Sequence, residues 1–164
     1  MNFSQPRKPW FEYLFAAHVS MRLCWFPILL HFCTLPELLE QLTKREGQRG
    51  RKSLPTLDRA VQIIVRVCHL RPFRGRLFPR TCLRQALALY DMLTYLGYAV
   101  TIHFGILKIG EEFRGHSWVT LDGKPVAENR DPGVSHHIVY FYPSNQPGPA
   151  RDLTEMFGPN AKFF

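Results

Sequence analysis

The hydrophobic period of the chain changes at Gly97, and that change limits what the chain can fold into. From Cys82 to Leu96 apolar side chains fall at 82, 86, 89, 93 and 96, with Leu83, Leu87 and Tyr90 beside them. This spacing predicts a helix, and one apolar on nearly every side is a buried one. Gly97 is suited to end it, because glycine adopts the left-handed backbone that closes helices. Beyond it the residues alternate. Ala99 to Lys108 and Phe113 to Leu121 read as strands joined by a turn at Ile109-Gly-Glu-Glu112. Asp122-Gly123 is a hairpin signal, so Lys124 to Asn129 is expected to return antiparallel. Ile138 to Tyr142 supplies a fourth strand ahead of a Pro/Gly-rich tail. Helices first, then a buried helix and an antiparallel sheet, make an α+β arrangement.

Upstream, Thr34 is placed to cap a helix beginning near Pro36 and stopping near Gly47. Thr56 opens another, with Leu57, Val61, Ile64, Val65 and Cys68 at helical spacing, ending before Pro72. The Gly-punctuated basic run from Gly47 to Pro55 reads as a linker. Three parts follow: an N-terminal hydrophobic and basic helical lobe with its linker over 1–55, a core over 56–145, and a tail over 146–164. A chain of 164 residues suits this, since it buries roughly two-thirds of its unfolded surface without staples.

Charge is divided unevenly. Residues 1–84 carry 15 Lys/Arg against 5 Asp/Glu, and residues 85–164 carry 6 against 8. The basic half suits an acidic partner, or simply solubility. Nucleic acid is the weakest choice of partner, because the arginines form no recognition motif and aromatic residues are not interleaved with them. Cys24, Cys33, Cys68 and Cys82 lie at wide spacings with no Cys-x-x-Cys and no secretory signal, which suits a reducing cytosol and supports neither a disulfide framework nor structural zinc. The apolar stretch from Trp10 to Leu35 is interrupted by His18, Arg22 and His31 and broken at Pro27. A mid-bilayer Arg costs about 2.5–3.5 kcal/mol on insertion scales. A pair of core or partner-facing helices is therefore expected over a membrane span, with peripheral membrane contact left open.

Cys82 stands at the start of the buried helix, where unpaired backbone N–H groups and the helix dipole lower a thiol's pKa; Arg80 and Arg84 are expected to add to this. The same N–H groups suit an oxyanion. On a following strand, Gly115-His116-Ser117-Trp118-Val119 offers a histidine that the fold can carry to the helix start, with Trp118 placed to shield it from water. Each piece alone reads more simply as a buried small residue and a surface imidazole. Cys68, on an apolar helical face, reads as inert core.

The run Pro79-Arg-Thr-Cys82-Leu-Arg-Gln-Ala-Leu-Ala-Leu-Tyr90, followed by Leu93, Gly97, Gly105 and Phe113-Arg-Gly-His116-Ser-Trp-Val-Thr-Leu-Asp-Gly123, resembles the transglutaminase-like leader peptidases of lasso-peptide biosynthesis. Their pattern places the nucleophile in a Cys-Leu-x-Arg segment and the base in a His-Ala-Trp-Val segment; here Ser117 stands for the alanine. The resemblance covers about residues 70–130. It implies a papain-like core, a Cys-His-acid triad, and a cysteine protease that cleaves the leader from a ribosomally made precursor peptide in the cytoplasm, as a step of RiPP maturation. It also implies a separate leader-recognition protein and an ATP-using lasso cyclase as partners. No cofactor is expected in this chain itself, any ATP dependence coming through a partner or by that family likeness.

The third triad member is the open point. Asp122, at the hairpin tip, is roughly 20 Å from His116 along an extended strand. If residue 121 pairs with 124, His116 lies opposite Asn129 and beside Glu128. Glu128 matches the family's spacing and is the choice. Asn129 is an acceptable amide substitute and Asp131 an outsider. Two other readings compete: an amide transferase or hydrolase acting on a different substrate, and a catalytically silent module that binds a peptide or a membrane.

Overall fold

The structure is a computed structural model, and it describes residues 10–44, 55–70, 82–110 and 112–143. The expected linker up to Leu54, the arginine-bearing loop up to Thr81 and the C-terminal tail lie outside these residues.

Among the described residues four helices come first: α1 (Trp10–Phe32), α2 (Leu35–Thr43), α3 (Leu57–Cys68) and α4 (Cys82–Tyr95). The strands β1 (Val100–Ile109), β2 (Glu112–Leu121) and β3 (Lys124–Val126) follow, then the single turn α5 (Pro132–Ser135) and β4 (His137–Tyr142). The architecture is α+β, as the change of period predicts.

In place of the expected pair of helices, α1 runs unbroken through Pro27. A proline inside a helix costs about 3 kcal/mol. Against this, Phe15, Val19, Leu23 and Phe26 are all buried, at roughly 1.5–3 kcal/mol each, so packing overrides the break. Both formal charges of α1 are used in docking it. Glu12 accepts two hydrogen bonds from Arg59 of α3, at 2.9 and 2.6 Å. Arg22 is buried and donates twice to Asp91 of α4, one bond measuring 2.8 Å. The opposite side of α1 carries Trp10, Tyr13, Leu14, Met21, Trp25, Ile28 and Phe32, all exposed. By length and composition alone α1 is able to cross a membrane, although its Arg22 is turned into the protein.

Thr34 caps α2 as expected: its N–H and hydroxyl both donate to Glu37, at 2.8 and 2.9 Å. Thr56 stands at the N-cap of α3. The central helix α4 is buried at every residue from Ala86 to Thr94. It closes at Gly97, whose φ of 83° lets the Tyr98 N–H reach the Leu93 carbonyl at 3.0 Å.

The sheet is antiparallel with order β3-β2-β1-β4. Its long hairpin pairs Val100 with Leu121 and Gly105 with His116. Leu121 pairs with Lys124, the register that the Asp122-Gly123 turn predicts. The ladder then stops at Val126, short of the expected Asn129, because Ala127 adopts a φ of 60° and turns the chain out of the sheet. The buried apolar residues form one cluster reaching from Phe15 in α1 through α2, α3 and α4 to Val119 in β2.

Candidate active site

Cys82 is the first residue of α4, so its side chain stands at the positive end of that helix's dipole, which favours a thiolate. Its Sγ lies 4.0 Å from the Gly115 carbonyl, on the strand that carries His116. The long β1–β2 hairpin packs on α4 and sets the imidazole beside the sulfur, the two side chains lining the same cavities. On its other side, His116 Nε2 is 3.3 Å from Glu128 Oε1. With Nε2 turned to Glu128, Nδ1 is the nitrogen left for the thiol proton.

Burial acts to raise the Cys82 thiol, but His116 and the side chain and backbone of Ser117 favour the thiolate, outweigh burial and bring the pKa down to about 7. The imidazole moves the opposite way: its bond to Cys82 raises it, burial opposes, and the Glu128 charge raises it further. Each partner favours the charged form of the other, as a thiolate–imidazolium pair requires. By contrast, burial pushes the Cys68 thiol up to about 11, consistent with inert core.

The structure brings Cys82, His116 and Glu128 together, though Glu128 arrives by a different route from the one expected. An extended β3 would have set Asn129 opposite His116; the turn at Ala127 instead delivers Glu128 to the ring, and Asn129 is exposed. Asp131 is engaged elsewhere, its carboxylate accepting the Gly133 N–H at 2.9 Å to cap α5. Arg80 lies outside the described residues. The expected help from Arg84 is not found: its guanidinium is buried beside Cys68 and Cys24. Residues two apart on a helix do not share a face, so Arg84 turns away from Cys82.

Three contributors had little signal in the sequence. Ser117, which stands where the family pattern has alanine, favours the Cys82 thiolate from its side chain and backbone, and its buried hydroxyl has no hydrogen-bond partner among the described residues. His136 brings its ring to 5.4 Å from that of His116. Gly105 makes room for Trp118: a Cβ there would stand 2.9 Å from the indole. Trp118 is 2% exposed and stacks on His116 at 5.9 Å and on His103 at 5.4 Å, shielding the imidazole as its position on the strand predicts.

The family model of the transglutaminase-like superfamily matches residues 23–139, which take in Cys82, His116 and Glu128. The chain belongs to that superfamily. Its cysteine peptidases and transferases share the coarse chemistry this site can perform, the attack of a thiolate on a carbonyl. The match begins at Leu23, within α1. No curated protein and no solved structure matches the chain. Among the described residues, no three His, Cys, Asp or Glu side chains gather to hold a metal ion.

Proposed function

We propose that this transglutaminase-like protein is a cysteine peptidase that removes the leader from a lasso-peptide precursor. The observation that carries the peptidase reading is His116 bridging Cys82 and Glu128, with the thiol lowered to about 7. The leader-peptidase specificity rests on the resemblance of the Cys82 and His116 segments.

In the first step the Cys82 sulfur attacks the scissile carbonyl carbon, and the oxyanion is received by N–H groups at the start of α4. His116 gives its proton to the departing amine nitrogen as the C–N bond breaks, which leaves a thioester. Water then adds to the thioester carbonyl while His116 takes its proton. The C–S bond breaks, the leader leaves as a carboxylic acid and the thiolate returns. Glu128 holds the imidazole in orientation and stabilises its charged form.

The partners in this reading are the precursor peptide, a separate leader-recognition protein and an ATP-using cyclase. We place the protein in the cytosol, where four free thiols are stable, with the outer side of α1 able to rest against a membrane. Alkaline carbonate washing is expected to release it from membrane fractions; retention until detergent is added would speak for a spanning α1.

The deciding experiment mixes wild-type or Cys82→Ala protein with precursor and the other pathway proteins. The wild type is expected to release the leader, and the variant none. Mass spectrometry separates a cut peptide from a transferred acyl group, the outcome that would favour an amide transferase.

A further inference from the structure

Beside Cys82 and His116 lies a cavity of about 260 Å³, walled by Leu30 at the end of α1, Leu35 at the start of α2, Leu83, Phe104, Ile106 and Val139. Ligand pockets for whole small molecules run to roughly 300–1,000 Å³, so this one suits a side chain rather than a cofactor. Every one of these six walls is aliphatic or aromatic, and among the described residues the polar side chains of the lining are those of Cys82, His116 and Ser117. Among the described residues, a charged group seated against these six walls would lose water without gaining a partner.

The sheet carries an independent sign that the cavity is built rather than left over. Phe104 pairs with Tyr140 and Gly105 with Ile138, so Val139 is an extra residue in β4. Such a bulge turns a side chain out of the regular alternation, and bulges recur beside active sites for that reason. Here it sets Val139 among the cavity walls.

We propose that this cavity is a specificity subsite for a large apolar side chain of the substrate, within two residues of the attacked carbonyl. It rests on the peptidase reading and narrows it to substrates with a Leu-, Ile-, Met- or Phe-like residue at the cut. Leu30 and Leu35 give the N-terminal helices a part in substrate choice.

The test uses the full chain and a series of N-substituted chloroacetamides, in which the Cys82 sulfur displaces chloride. The substituents are methyl, isobutyl, phenethyl, carboxyethyl and aminoethyl, and each rate of Cys82 labelling is divided by that reagent's rate with glutathione. Isobutyl and phenethyl reagents are expected to exceed the methyl one by about tenfold or more, the size of effect an apolar pocket gives. The charged reagents are expected to show no such gain. Val139→Arg is expected to reverse the order, making the carboxyethyl reagent faster than the isobutyl one, a gain that misfolding would not produce. Equal normalised rates across the wild-type series, with Cys82 reactive, would overturn the subsite alone. Failure of every reagent to label Cys82 would overturn the nucleophile and the subsite together.

Discussion

Cys82 and His116 act as one titrating unit, because each holds the other's charge. The thiol is lowered from 9.0 to about 7, so its thiolate form fills as pH rises through that value, and the pair is lost as pH falls below it. Iodoacetamide labelling of Cys82 against pH is expected to reach half its maximum near 7, about two pH units below an ordinary thiol; a midpoint near 9 would mark an unactivated cysteine and a silent module. Ser117→Ala removes a buried hydroxyl that favours the thiolate, so that midpoint is expected to move upward. Glu128→Gln keeps the shape but removes the charge that favours imidazolium. Loss of an orienting carboxylate costs on the order of 10⁴ in other triads, and a fall of about two to four orders of magnitude in leader cleavage is expected here.

Between elements, one contact that ties α1 to α4 is Arg22 with Asp91, nine residues beyond Cys82. Both are buried, at 8% and 5% exposure, so neither charge can fall back on water. Removing one partner of such a pair costs about 3–5 kcal/mol, whereas replacing both by apolar residues is often neutral. Urea unfolding is expected to show that loss for Asp91→Ala and near-recovery for the Arg22→Met/Asp91→Leu double variant. The proline in α1 and the short β3 show the same principle working in opposite directions. At Pro27 tertiary packing overrides a local signal to break; at Ala127 a backbone turn ends a strand whose sequence gives no reason to stop.

For the whole molecule, the continuous buried cluster from α1 to β2 predicts cooperative unfolding of the N-terminal helices with the sheet. Leu38 of α2 and Leu93 of α4 are both fully buried. Truncating either to Ala is expected to cost about 2–5 kcal/mol. In each variant the helical circular-dichroism signal and the Trp118-dominated change in fluorescence are expected to be lost at one denaturant concentration. Separate transitions would mean that the helices fold apart from the sheet.

The α+β class, the cap at Thr34, the close of α4 at Gly97 and the turn at Asp122-Gly123 were all readable because local backbone chemistry specifies them. Cys82 and His116 stood out together because their two segments resemble a known pair of motifs in order and spacing, while each alone read more simply as core and surface. Distance in sequence hid the rest. The partner of Arg22 lies 69 residues away, and the roles of Ser117, His136 and Val139 exist only once strands align. A one-residue change of path at Ala127 decides whether Glu128 or Asn129 meets the imidazole. The sequence by itself determined the order of helices and strands and placed Cys82 at a helix start and His116 on a strand, because these follow from period and end chemistry. The tertiary structure alone decided which carboxylate completes the set and what apolar wall stands beside it, because both depend on where separate segments come to rest.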